Sequence, residues 1–292
     1  MADRSPEAPT RVALVVHPRR DLQAALATTR AWAVKHGVAL GQVQIPGQAR
    51  RVAEPVDVSS CDLVLAVGGD GTALTALHAA APASRPVLGV ACGSIGVLTS
   101  VPAGSLSAAL DHVAAGNWEP RRLPALEIAA AGAEPRFAIN DFAMIRDGTG
   151  QVITEVRVDG ELYARTAGDG LVVATPLGSS AYTMAAGGPI LAPGVQGMVV
   201  TPLAQHGGLS PPLVVGPGSR VQVLVEPGYG GGRFEIDGHE AGVGALELNV
   251  SLRPDYASLV ALAGQEPLLT GLRRRGLIVD SPRILARDAR AL

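Results

Sequence analysis

Leu63-Val64-Leu65-Ala66-Val67-Gly68-Gly69-Asp70-Gly71-Thr72 is the stretch on which the fold turns. An apolar run stops at two glycines, bends at an aspartate and continues as Ala73-Leu74-Thr75-Ala76-Leu77-His78. That order predicts a buried strand over Leu63–Val67, a tight loop, and a helix over Thr72–Ala81. Glycines let the backbone turn sharply and approach a ligand closely. The N–H groups of such a loop and of the helix start suit a phosphate, so Gly68, Gly69, Gly71 and Thr72 are the candidate phosphate-binding residues. Asp70 places a carboxylate in the same loop. A carboxylate repels a phosphate unless a cation or a substrate hydroxyl stands between them. The loop therefore points to phosphoryl chemistry on a hydroxyl. An ordinary strand-to-helix turn uses the same residue types for local reasons, so the rest of the chain must decide.

Upstream and downstream the same alternation continues. Val12–Val16 predicts a strand, Leu22–His36 a helix closed by Gly37, Val87–Val90 a third strand leading into Gly93-Ser94-Ile95-Gly96, and Leu106–Gly116 another helix. Strands alternating with helices imply a parallel sheet with helices on its faces. Ligands of such sheets bind at the carboxyl ends of the strands, where the Asp70 loop lies.

The pattern changes at Trp118-Glu119-Pro120. Short strand-like runs follow, among them Leu126–Ile128, Glu155–Val158, Leu171–Ala174, Met198–Val200 and Val221–Val225, with Asp159-Gly160 and Asp237-Gly238 as hairpin turns. Gly228–Gly232 reads as a flexible hairpin tip, since no strand-to-helix context surrounds it. The expected organisation is α/β over 1–118, β-rich over 119–266, and a C-terminal segment over 267–292 that packs back on the first domain.

The bulk properties narrow the function classes. The 292 residues are 47% apolar but only 3% aromatic, so small aliphatic side chains must fill a large core. Lys and Arg number 24 against 26 Asp and Glu, a net charge of −2 that gives nucleic-acid binding no support. Cys61 and Cys92 follow no metal or redox spacing, and no His–Glu or Cys–His cluster has metal-ligand spacing. The N-terminal Met1–Arg11 run lacks the apolar region of a signal peptide, and no apolar stretch reaches spanning length. A soluble cytoplasmic protein without a membrane partner is expected. His17 and His206 stand near candidate ligand positions on loops, whereas His78 and His112 lie in helical patterns and read as structural.

The densest polar and glycine-rich block is Gly168-Asp169-Gly170 through Thr175-Pro176-Leu177-Gly178-Ser179-Ser180-Ala181-Tyr182, followed by Gly187-Gly188-Pro189. Small side chains leave room, hydroxyls offer hydrogen bonds, and Tyr182 offers a stacking face. The bland reading makes Ser179 and Ser180 a helix N-cap pair. With this block the chain closely resembles the NAD kinase family. Four blocks match in order: Gly68–Thr72, Gly93–Thr99, Asn140-Asp141, and Gly168 through Pro189. The resemblance spans roughly Val12 to Arg273.

The resemblance implies a Rossmann-like domain and a β-rich domain with the site at the cleft between them. It implies transfer of the terminal phosphate of ATP, carried with Mg²⁺, to the adenosine-ribose 2′-hydroxyl of NAD, with no tightly bound cofactor and no resident metal. Asp70 would be the catalytic base and Gly71 would also touch substrate. Asn140 and Asp141 would bind the ribose hydroxyls, Asp169 the nicotinamide carboxamide, and Ser180, Ala181 and Tyr182 the adenine. A homodimer or homotetramer is implied. The chain departs from the family's usual residues at Ala91 (Asn), Asp141 (Glu), Leu177 (a small hydroxyl residue) and Ser180 (Thr). Two other readings stay open: a kinase for another nucleoside or lipid hydroxyl, and a non-catalytic dinucleotide-binding regulator.

Overall fold

The structure is a computed structural model that describes residues 7–94, 96–243 and 247–289. Ile95 of the second glycine block and most of the polar N-terminal run, Met1–Pro6, lie outside the described residues. By its internal contacts the chain divides into two compact units, one of residues 1–76, 87–119 and 260–292, the other of residues 77–86 and 120–259.

The first unit follows the alternation of its sequence: β1 (Arg11–Val16), α1 (Gln23–His36), β2 (Ala39–Gln42), β3 (Leu63–Gly68), α2 (Asp70–Ala80), whose residues from Leu77 onward belong to the second unit, β4 (Val87–Ala91), β5 (Val101–Pro102) and α3 (Leu106–Ala114). The strands pair in parallel in the order β2-β1-β3-β4-β5. Buried parallel strands carry apolar residues on both faces, and every residue of β3 and β4 is buried. Leu26, Trp32 and Ala33 of α1 and Leu106, Leu110 and Val113 of α3 share one core with β1, β3 and β4. Each large side chain so buried stabilises by about 1.5–3 kcal/mol. Gly37 ends α1 in the left-handed conformation, φ 67°, and its N–H bonds back to the helix. Helix α2 starts two residues before the predicted Thr72, so Asp70 is in its first turn.

The second unit is β-rich. Its strands are β6 (Glu119–Ala129), β7 (Arg136–Ala138), β8 (Asp141–Arg146), β9 (Val152–Val158), β10 (Glu161–Gly168), β11 (Gly170–Ala174), β12 (Met198–Leu203), β13 (Leu213–Val215), β14 (Arg220–Glu226), β15 (Gly232–Ile236), β16 (His239–Val243) and β17 (Glu247–Ala261). A one-turn helix α4 (Tyr182–Ala185) follows β11. One antiparallel group runs β10-β9-β14-β17, and a six-stranded sheet runs β13-β12-β11-β8-β15-β16. Alternate residues of facing strands meet in one core, Val156, Val221 and Val223 from the first group with Phe142, Val173, Val200 and Phe234 from the second.

Both Asp-Gly turns are two-residue hairpin loops. Asp159 and Gly160 have φ of 52° and 87° between β9 and β10, and Asp237 and Gly238 have 52° and 74° between β15 and β16. Gly228–Gly232 is not a hairpin tip. It joins β14 to β15, which belong to different sheets, so it carries the chain across the unit. The C-terminal helices α5 (Leu268–Arg274) and α6 (Pro282–Asp288) belong to the first unit.

Candidate functional site

In the first unit, β3 delivers the glycine loop and α2 begins at its aspartate. The Asp70 carboxylate reaches the second glycine block. Among the described residues its Oδ1 accepts from the Leu98 and Thr99 N–H groups, both at 3.0 Å, and from the Thr99 hydroxyl at 2.9 Å, and its Oδ2 accepts from the Val97 N–H at 2.8 Å. Gly96 lies directly on this carboxylate: a Cβ there would stand 1.9 Å from Oδ1. The two sequence blocks thus form one structure, with glycine at 96 because nothing larger fits.

The space above Gly71 is open. The Arg20 guanidinium lies against the loop, donating to the Cys92 carbonyl at 3.1 Å and standing 3.5 Å from where a Gly69 Cβ would be. Arg20 was not singled out by the sequence, since an exposed arginine in an Arg-Arg-Asp run carries no local signal. His17 organises this corner. Its Nδ1 accepts from the Arg19 and Arg20 N–H groups, and burial together with Arg20, Arg50 and Arg19 holds its imidazole below the ordinary range.

In the second unit the Asn140-Asp141 segment precedes and starts β8, paired to β11 with Asp141 opposite Ala174. The Thr175–Tyr182 run folds back onto it. Thr175 donates through Oγ1 to the Ile139 carbonyl at 2.6 Å and through its N–H to the Asn140 carbonyl. A Cβ on Gly178 would stand 1.9 Å from the Asn140 oxygen, which explains that glycine. Asp141 is 7% exposed, and the Tyr182 N–H hydrogen-bonds to its carboxyl. Burial first, then the charges of Asp237 and Glu235, push this carboxyl up to about 7 against that hydrogen bond. Asn140, Asp141, Ser180, Ala181 and Tyr182 are therefore neighbours in space.

Ser179 and Ser180 do not cap α4. Ser179 Oγ donates to the Pro176 carbonyl and accepts from the Leu191 N–H, fully buried, so its role is structural; Ser180 Oγ donates to the Leu177 carbonyl.

Asp169 and Tyr182 line one cavity of about 490 Å³ with Ile145, Arg146, Leu203 and Arg233. Arg146 Nε donates to Asp169 Oδ1 at 2.6 Å. At this half-exposed position the pair contributes about 0–1 kcal/mol to stability, so its effect is to orient the carboxylate. Burial and the charge of Glu235 push the Tyr182 phenol above its ordinary range, against Arg233. Arg146 ends the apolar strand Phe142–Ile145, a charge whose position the sequence showed but whose partner it did not. His206 does not line the cavity, and its ring is hydrogen-bonded to Gln151. His78 is not merely a helix-face residue, since its Nε2 reaches Asp237.

The comparisons with known proteins agree with this layout. Residues 12–118 match the ATP-NAD kinase N-terminal domain and residues 139–241 the ATP-NAD kinase C-terminal domain. An NAD kinase of Nitratidesulfovibrio vulgaris is 33% identical over 247 residues, covering 83% of this chain and 76% of that protein. An NAD kinase of Nocardia farcinica is 37% identical over 230 residues, covering 76% and 68%. Among solved structures, yeast NADH kinase complexed with NADH superposes with a TM-score of 0.78 at 19% identity, over 94% of this chain and 89% of that one. An NAD kinase from Archaeoglobus fulgidus in complex with ATP gives 0.72 at 22% identity, over 91% and 97%. The two structural likenesses establish the fold.

Proposed function

Given that the chain belongs to the NAD kinase family, we propose that it transfers the terminal phosphate of ATP to the adenosine-ribose 2′-hydroxyl of NAD, making NADP and ADP. The observation that carries this reading is the Asp70 carboxylate, held among the described residues by four hydrogen bonds from Val97–Thr99 and standing beside an open glycine loop.

In this reading the 2′-oxygen attacks the terminal phosphorus, the bond to the ADP oxygen breaks, and the hydroxyl proton passes to Asp70 Oδ2. Phosphoryl transfer is mostly positioning and charge neutralisation, so the protein supplies little covalent help. A positioned base contributes about 10²–10⁴ in rate. Gly68, Gly69, Gly71 and Thr72 hold the phosphates. Mg²⁺ enters as part of Mg-ATP. Asn140 and Asp141 take the ribose hydroxyls, a carboxyl and an amide together offering a diol both donors and acceptors. Asp169, oriented by Arg146, takes the nicotinamide carboxamide, and Ser180, Ala181 and Tyr182 take the adenine. The cavity sets Arg146, Asp169, Tyr182 and Arg233 among Ile145, Leu203 and three alanines, a lining that suits a flat ligand with polar edges. We extend the reading to a homodimer or homotetramer working in the cytoplasm. Among the described residues no helix is long and apolar enough to cross a membrane.

The test is a substrate panel. Purified protein is given NAD or NADH with Mg-ATP, other triphosphates or polyphosphate, and NADP or NADPH is measured with an enzyme specific for it. NADP from NAD and Mg-ATP is expected. ADP formed with another acceptor, and no NADP, overturns the assignment.

A further inference from the structure

Asp237 looks from the sequence like an ordinary hairpin residue, yet its side chain is fully buried. Its Oδ1 accepts from the Asn140 N–H at 2.7 Å and the Asp141 N–H at 3.0 Å, and its Oδ2 from the Ile139 N–H at 2.9 Å. Three consecutive backbone donors thus converge on one carboxylate. The carbonyls of the same three residues are also taken: Ile139 by the Thr175 hydroxyl, Asn140 by the Thr175 N–H, and Asp141 by the Asp237 N–H. Every backbone polar group of Ile139–Asp141 is bonded, and four of the six bonds run to Asp237. Such a segment has little freedom in φ and ψ, so the directions of the Asn140 and Asp141 side chains are fixed by Asp237.

A buried carboxylate is costly unless paired. Its side-chain partner is His78, near the end of α2 in the stretch that belongs to the second unit, whose Nε2 stands 2.5 Å from Oδ2. The His78 side chain remains 34% exposed. It lines a cavity of about 380 Å³ with Phe137, Ile236, His239 and Tyr256. There is room beside the ring, so a substitution at 78 alters the pair without opening the core.

We propose that Asp237 and His78 are a positioning pair, which holds the Ile139–Asp141 backbone so that Asn140 and Asp141 meet the ribose hydroxyls of the dinucleotide. This rests on the ribose-binding reading of Asn140 and Asp141. Neither residue of the pair touches substrate. Both act through the backbone they hold.

The experiment uses the full-length protein with His78→Leu and His78→Gln. Leucine fills the space but gives Asp237 Oδ2 nothing, whereas glutamine restores a donor. The Leu variant is expected to raise the KM for NAD about tenfold, the worth of roughly one ribose hydrogen bond lost when Asn140 and Asp141 are misplaced, with the KM for ATP changed less. The Gln variant should recover most of the loss. Calorimetric NAD affinity should follow the KM for NAD. A Leu variant with a lower melting temperature and an unchanged KM for NAD gives His78 a structural role only and overturns the proposal. Equal rises in the KM for NAD and for ATP also overturn it. Asn140→Ala separates the two readings: unchanged NAD affinity in that variant removes the ribose-binding assignment itself, whereas a loss there with no effect at His78 removes the pair alone.

Discussion

Asp141→Asn should make the protein more stable above pH 7 and leave its stability near pH 4 almost unchanged. The Asp141 carboxyl titrates at about 7 in the folded chain, against 3.8 for an unperturbed aspartate. Below 3.8 it is protonated whether the chain is folded or not, and no cost arises. Between 3.8 and 7 the folded protein holds a proton that the unfolded chain has lost, so stability falls as pH rises. Above 7 the full cost of a buried charge beside Asp237 is present. The two values differ by roughly a thousandfold in proton affinity, or about 4 kcal/mol. Relaxation of the surroundings lowers this, and about 2–4 kcal/mol is expected. For a chain of this size, that gain raises the melting temperature by roughly 3–7 °C at pH 8. Asparagine keeps an acceptor for the Tyr182 N–H and removes the charge. The assay is thermal unfolding of both proteins from pH 4.5 to 8.5. The curves should converge at low pH and separate as pH rises. Parallel curves would show that the carboxyl carries no such cost.

Asp70→Asn keeps an oxygen for three of the four donors but cannot take a proton. Turnover should fall about 10²-fold or more, while NAD affinity by calorimetry falls less; near-normal turnover leaves Asp70 as a loop anchor. Asn140→Ala should weaken NAD binding by about 1–3 kcal/mol, because a ribose hydroxyl loses its partner. Arg20→Gln should raise the KM for ATP about tenfold with little change in the KM for NAD, as a cation facing the phosphates would require. An unchanged KM for ATP in steady-state kinetics removes Arg20 from the phosphate site.

Much of the first unit was legible because its signals are local. β1 beyond Arg11, β3 and β4 carry no polar side chain, as strands covered on both faces require, and Gly37 and Gly71 punctuate their helix and loop. The four-residue β2 was missed, since Ala39–Gln42 has no pattern of its own and becomes a strand by pairing with β1. β6 was read only over Leu126–Ile128 because Pro120 and Pro124 argue against a strand. In the second unit, alternation revealed strands but not which sheet each joins, hence the wrong reading of Gly228–Gly232.

The candidate site divides in the same way. The glycine blocks were visible because they are contiguous. The groups that hold them were not, because their partners are remote in sequence. Asp237 meets Asn140 across 97 residues, and Arg146 meets Asp169 across 23. An Asp-Gly turn announces its backbone conformation; nothing local announces where its carboxylate points.

The most direct measurement is the position of the phosphate on the product. The protein is incubated with NAD and Mg-ATP, and the dinucleotide product is examined by phosphorus NMR and cleaved to its nucleotides. The phosphoryl group should be found on the 2′-oxygen of the adenosine ribose, in step with ADP formation and formed about a hundredfold or more slowly with Asp70→Asn. A phosphoryl group on the 3′-oxygen or on the nicotinamide ribose, or ADP formed without any phosphorylated dinucleotide, contradicts the roles given to Asp70, Asn140 and Asp141.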